Sequence, residues 1–214
     1  MDKRVFFDKV LSSNSFSFFL PATLIRYFPY LRFPTFLFYQ FSMYDIQAIL
    51  ASTPSFLRIY IEQVAEGDIF TSLSAQLVSL PQFYRALPED RLTFSYADGK
   101  WTPKDILLHL VDAERVFAYR AMRFGRGDSA ELVGFDENIY VPAAQANTRN
   151  LDSLLEEFEA VRCANLLLFA SFSEEQLWQT GLASGFPASV LGLMYAIVGH
   201  GVHHLKVIES RYLI

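Results

Sequence analysis

Three of the four histidines in this chain lie in one stretch, Gly199-His200-Gly201-Val202-His203-His204. His200 and His204 stand four positions apart, so on an α-helix they project from one face, about one turn from each other. Two imidazoles so placed can converge on one divalent cation, with room for a third ligand from elsewhere. The fourth histidine, His109, lies upstream in Asp105-Ile106-Leu107-Leu108-His109-Leu110-Val111-Asp112-Ala113-Glu114-Arg115, a second stretch that reads as a helix. If the two helices pack side by side, three imidazoles meet inside a bundle. Taken singly, His109 reads as a satisfied core histidine, and His200 with His204 as a pair on a helix surface. The neighbourhood argues against the surface: Ile197, Val198, Val202 and Leu205 make that helix apolar nearly all round. Buried imidazoles without partners would cost about 1–3 kcal/mol each. A metal supplies the partner.

A site of three neutral histidines leaves a coordination position for water or substrate. Bound water would be acidified for hydrolysis, or a substrate thiol would be held as thiolate, the form that acts as nucleophile. Asp112, three residues after His109 and close to the same face, is a candidate to orient an imidazole or accept a proton; its alternative is a helix-surface acid. Glu114, Arg115 and Arg120 read as members of structural ion pairs. Trp101 reads as core packing beneath the helix start. Phe135, Asp136, Glu137, Asn138 and Tyr140 are candidates to wall a pocket. There is no glycine-rich phosphate loop, no nucleophile elbow and no CxxC pair.

The elements that must position these residues are helical. Phe56, Leu57, Tyr60, Ile61 and Val64 mark a first helix from Ser52 to Ala65. Ile69, Leu73, Leu77, Leu80 and Tyr84 mark a second from Asp68 to Leu87, which Pro81 should kink or interrupt. Pro88 to Lys100 reads as a connecting loop. Thr102, Pro103 and Asp105 then form an N-cap, first-position proline and capping-box acid. The helix they open runs to Phe124 and ends at Gly125 and Gly127. Residues 128–148 read as a long loop, of the kind that often serves as a lid or wall over a site. Leu151 to Phe172 is a further helix, with Leu154, Leu155, Phe158, Val161 and Leu168 inward. Ser173 caps a short turn, Gly181–Gly185 is a loop, and Pro187 or Ser189 opens a last helix to about Arg211. No strand is expected. The fold class is all-α, a four-helix bundle, with its domain over 43–214.

Hydrophobic residues at 52% and charged residues at 19% supply a core and exclude overall disorder. A net charge of −5 argues against a nucleic-acid partner, which would need a basic stripe. The single cysteine, Cys163, cannot form an intrachain disulfide and reads as a small buried filler. Residues 1–42 differ from the rest and hold ten of the 21 phenylalanines. Their longest uncharged run, Val10 to Ile25, is broken by serines and Pro21 and is shorter than the ~20 apolar residues a spanning helix needs. Lys3 and Arg4 precede an apolar patch, but no signal cleavage site follows. The expectation is a poorly ordered extension ahead of a cytoplasmic domain that makes no membrane contact.

Gly99-Lys100-Trp101-Thr102-Pro103-Lys104-Asp105, His109 through Arg115, Gly134-Phe135-Asp136-Glu137-Asn138 and Gly199 through His204 occur together in this order. In that combination the chain resembles the DinB-like superfamily of metalloenzymes, over roughly residues 55–214. The resemblance implies a four-helix bundle and places the metal ligands on His109, His200 and His204, with His203 on another face. Several members have a glutamine where this chain has Val207, three residues after His204. Members with assigned activities use low-molecular-weight thiols, which implies a divalent metal (zinc or nickel), a thiol co-substrate, and transfer to a small-molecule substrate. A metal-dependent hydrolase and a non-catalytic, metal- or ligand-binding stress protein are the alternatives. A homodimer through exposed helix faces is a further expectation.

Overall fold

The computed structural model describes residues 44–64 and 67–213. The expectation for residues 1–42 lies outside them. Two short helices come first, α1 (Ile46–Ala51) and α2 (Ser55–Ile61). The sequence periodicity reads this region as one helix from Ser52. The break has a simple cause: a residue before proline is disfavoured in helical backbone, so Thr53-Pro54 ends one helix, and Pro54 caps the next. Four long helices follow: α3 (Ile69–Ala86), α5 (Pro103–Gly125), α7 (Leu151–Ala170) and α9 (Val190–Tyr212). Between them lie α4 (Glu89–Leu92), α6 (Glu137–Ala144), a 3₁₀ turn (Ala146–Thr148) and α8 (Glu174–Trp178). α3 runs through Pro81, whose ring is buried in the core and which forfeits only one backbone donor.

The long helices form a bundle in which α5 and α3 each pack between α7 and α9. Residue pairs give the directions. Glu114 meets Arg162 and Gly125 meets Phe172, so α5 and α7 run parallel. Leu73 meets Arg162 and Arg85 meets Asp152, so α3 and α7 run antiparallel. Trp101, just before α5, meets Tyr212 at the end of α9, so these two are antiparallel as well. Parallel neighbours cannot be joined by a tight turn, because the chain must first travel back the length of the bundle. That is the work of residues 126–150. The expected long loop is therefore a return segment with α6 and a 3₁₀ turn of its own. Asn147, near its end, bonds the capping pair of α5, donating to Asp105 and accepting from Thr102 at 2.9 Å.

The expectation of no strand is also corrected. β1 (Thr180–Ala183) and β2 (Phe186–Ser189) pair antiparallel about Ser184-Gly185. Both turn residues have positive φ, 54° and 79°, the combination a two-residue hairpin needs to match strand twist. Arg120 is a third correction. It bonds the Val133 carbonyl (3.2 Å) and Ser184 Oγ (2.9 Å) rather than a carboxylate, and so ties α5 to the return segment and the hairpin. Arg115 does pair with carboxylates, Asp112 at 3.2 Å and Glu157 at 2.7 Å. Cys163 is half-buried.

The core is two apolar clusters along the bundle. One holds Leu73, Ala113, Phe117, Phe169, Ile197 and Val198, and the other Leu77, Leu110, Val111, Phe158, Leu205 and Ile208. Near where the two meet, each long helix carries a buried polar residue: Gln76, Glu114, Arg162 and His200, each 6% exposed or less. Arg162 is the surprise. It is buried beside the expected Val161, which packs half-buried against the second cluster, and its guanidinium grips both oxygens of Glu114 at 2.8 and 2.9 Å. Glu114→Ala is expected to leave that cation buried and unpaired and to destabilise the fold by about 3–5 kcal/mol. Replacing both partners by apolar residues, as in Glu114→Leu with Arg162→Met, should cost far less. Urea denaturation of the two variants measures the difference, and equal losses would refute the assignment of the pair.

Candidate metal centre

The first imidazole is set by the start of α5. Thr102 accepts from the Asp105 backbone and Asp105 from the Thr102 backbone, with Pro103 at the first position. This reciprocal cap anchors the helix two turns before His109. The other two imidazoles are set by α9, whose N-terminus is capped by Ser189, itself 2.9 Å from Ser52 Oγ. Two glycines let α9 sink into its neighbours. A Cβ at Gly199 would lie 1.9 Å from the Tyr60 carbonyl oxygen, so no other residue lets α2 and α9 approach this closely.

The three imidazoles meet. Nε2 of His200 is 3.1 Å from Nε2 of His109 and 2.9 Å from Nε2 of His204. A tetrahedral ion with bonds of about 2.0–2.1 Å holds its ligand atoms about 3.3 Å apart, so the spacing is close to that of a zinc-type site. Hydrogen bonding cannot satisfy all three nitrogens. The Nε2 of His200 carries either one proton or one lone pair, so it serves one neighbour and leaves the other facing it unmatched. A cation that takes a lone pair from each nitrogen removes the conflict, and the residues present fit such a group. His109 and His200 are buried and His204 is half-buried.

Burial keeps these rings neutral. It pushes His109 down to about 4, and His204 to about 3 with help from His109 and His203. His200 lies well below its ordinary value, through burial first and its three histidine neighbours second. Nδ1 of His204 is buried with no hydrogen-bond partner among the described residues. Three residues on in α9 stands Val207, whose side chain has no acceptor.

The surroundings are aromatic. The Trp101 ring lies 4.7 Å from His109, so the residue read as core packing also forms a wall of the cluster. Tyr60 was not foreseen. Its ring sits 4.9 Å from His200 and 5.3 Å from His203, and the charge of Glu137 adds to burial in raising its phenol. The only sequence signal for it was a place on an apolar helix face. His203 stays outside the cluster of three nitrogens: its ring lies 5.2 Å from that of His204, and its Nδ1 is 3.4 Å from Nε2 of Gln63. Asp112 is half-buried and bonded to Arg115. Burial raises its pKa, against the lowering effect of that arginine. Of the expected pocket-wall residues, Asp136 caps α6 and Phe135 packs on Tyr140. Only Glu137 is linked to the site, through Tyr60. A small cleft adjoins His200 and Gly201, with Leu80, Leu110 and Phe158 as apolar wall and Glu114 and Arg162 as its polar part.

Comparison with known proteins bears on both fold and site. A protein of Geobacillus thermodenitrificans (strain NG80-2) named "Putative metal-dependent hydrolase" is 27% identical over 145 residues, 64% of this chain and 80% of that protein. Among solved structures, YfiT from Bacillus subtilis is described as a probable metal-dependent hydrolase with an unusual four-helix bundle topology. It matches with a TM-score of 0.56 at 15% identity, over 79% of this chain and 87% of its own, a likeness of fold. The family model of the DinB superfamily matches residues 73–208, from within α3 to near the end of α9 and across all three clustered histidines. This chain belongs to the DinB superfamily.

Proposed function

We propose that this protein is a divalent-metal-dependent enzyme acting on a small molecule, with His109, His200 and His204 holding the cation, zinc or nickel. The observation that carries the reading is the meeting of three Nε2 atoms, from two buried imidazoles and one half-buried, that cannot satisfy one another. A divalent ion held there supplies a Lewis acid with a position left for a nucleophile. The chain's own residues do the remaining work. Burial keeps the imidazoles unprotonated at neutral pH, and Trp101 and Tyr60 hold the His109 and His200 rings from their outer faces. Asp112, on the His109 helix and only partly shielded, takes the proton that the nucleophile gives up.

Two nucleophiles suit this centre. The first is a low-molecular-weight thiol transferred to a small electrophile, as the family resemblance implies. Hydrolysis by an activated water is favoured by the names of both relatives. Consumption of an electrophile that depends on added thiol and on metal is the expected result. Metal-dependent cleavage of an ester or amide at a rate indifferent to thiol would establish the hydrolase instead.

Purified protein analysed by elemental mass spectrometry should carry near-stoichiometric metal. His109→Ala, His200→Ala and His204→Ala should each lose it, while His203→Ala retains it. A folded protein that takes up no metal after reconstitution would sink the reading.

The neutral imidazoles also set an acid response. In the unfolded chain a histidine binds its proton below about 6.5, whereas in the fold His109 does so only near 4 and His204 near 3. The unfolded state therefore holds more protons between these values, and stability falls as pH falls. For the metal-free protein this contribution is complete above about pH 6.5 and is lost progressively toward pH 4. Urea midpoints from pH 7 to pH 4.5 should fall more steeply for the parent than for His109→Gln. Parallel curves would contradict the assignment.

A further inference from the structure

We infer that Gln76 is a positioning residue for His200, passing the fixed orientation of the buried Arg162–Glu114 pair onto the turn of α9 that carries the imidazole. The inference rests on the proposal that His200 helps to hold a cation.

The chain of bonds has one direction. Arg162 spends Nε and Nη2 on the two oxygens of Glu114, and Nη1 donates to the Leu73 carbonyl at 2.9 Å and to Oε1 of Gln76 at 3.0 Å. A guanidinium only donates, so the oxygen end of the Gln76 amide must face it. The NH₂ end is thereby turned to α9, where it donates to the Val198 carbonyl at 2.8 Å. A flipped amide would set donor against donor at Arg162 and acceptor against acceptor at Val198. All three side chains are at least nine-tenths buried, so water does not compete.

The grip falls on the turn that matters. Val198 is two residues before His200, and Gly201 is the residue after it. A Cβ at Gly201 would stand 3.0 Å from Nε2 and 3.3 Å from Oε1 of Gln76, so the amide lies against the bare backbone there. On its other side the same turn is met by the Tyr60 carbonyl at Gly199. His200 thus leaves α9 from a turn held between the backbone of α2 and the amide of Gln76. Glu114 closes the circuit, because it belongs to α5, the helix that carries His109. Metal–ligand distances must fall within about 0.2 Å of their ideal values. A small shift of this turn is therefore felt at the site, although Gln76 touches none of the three clustered nitrogens.

The test compares the full-length parent with Gln76→Leu, Asn165→Leu and His109→Ala. Asn165 donates to Oε1 of Glu114 at 3.2 Å, and so probes the same network through a side chain with no bond to Gln76 or α9 among the described residues. Zinc affinity is read by chelator competition, the ligand geometry by the visible spectrum of the cobalt(II)-loaded protein, and stability by urea denaturation. Gln76→Leu is expected to weaken zinc binding about 10- to 100-fold and to change the cobalt spectrum. Asn165→Leu is expected to lose stability while keeping affinity and spectrum. If Gln76→Leu does not fold, Gly201→Ala presses a methyl on the same amide while every polar partner stays, and the same losses are expected of it. A Gln76 variant that binds zinc within about twofold of the parent, with an unchanged spectrum, would reduce the amide to a structural role. Equal weakening by Asn165→Leu would do the same, because general loosening would then explain both. Absence of zinc binding in the parent, or binding untouched by His109→Ala, would instead overturn the three-histidine site itself.

Discussion

α9 has to carry two imidazoles into the protein while being covered on almost every side, and this constraint shapes the rest of the structure. From Val190 to Gly201 every residue of the helix is buried. A helix so enclosed can come close to its neighbours only where its side chains vanish. Gly199 receives a backbone carbonyl from α2, and Gly201 receives a side-chain amide from α3. The two glycines flanking His200 are therefore a packing requirement. They cost helix propensity, on the order of 1 kcal/mol each relative to alanine, and the burial around them has to offset that. With the helix seated this deeply, His200 meets both His109 and His204 at hydrogen-bonding distance instead of facing solvent.

The directions of the helices follow from the same arrangement. His109 and the His200–His204 pair must lie on neighbouring helices, and α5 and α9 are neighbours and antiparallel. α7 is parallel to α5 and supplies Arg162 at the level of Glu114. That parallel placement needs a return of the chain, which residues 126–150 provide. The return is tied at both ends, by Arg120 to Val133 and by Asn147 to the α5 cap. Its length is thus set by topology. It is linked to the aromatic surround of the histidine cluster by the charge of Glu137 acting on Tyr60.

Much of this was legible in the residues alone. Thr102-Pro103-Lys104-Asp105 announces the start of α5, and Ser173 and Ser189 cap where expected, because capping is local chemistry between near neighbours. The i, i+4 spacing of His200 and His204 placed both on one face, and His109 joined them. The failures have causes of other ranges. Ser184-Gly185 is a hairpin turn, but its flanking strands are only four residues long and carry little alternation. The break at Thr53-Pro54 was overridden by the apolar period around it. Arg162 and Gln76 were invisible because a polar residue on a helix reads as solvent-facing until its partner is known. Each partner lies on a different helix: Glu114 for Arg162, and Val198 for Gln76.

The polar layer between the two apolar clusters is electrically arranged for one purpose. Glu114 is the carboxylate nearest the histidine cluster in the cavity lining, yet both of its oxygens are taken by Arg162. The pair is neutral as a unit, and so are the three imidazoles, which burial holds unprotonated. A divalent charge placed on the histidines would therefore meet no compensating anion in its immediate lining. In a low-dielectric interior that excess is expressed strongly. A cation held there would favour an anion beside it, thiolate or hydroxide, and would lower the pKa of its conjugate acid. Asp112 differs from Glu114 in this respect. It is held by a single bond to an exposed arginine and is partly open to water, so it can take up a proton without breaking a buried pair. Glu114 is thus committed to the fold, whereas the proposed proton acceptor, Asp112, is not.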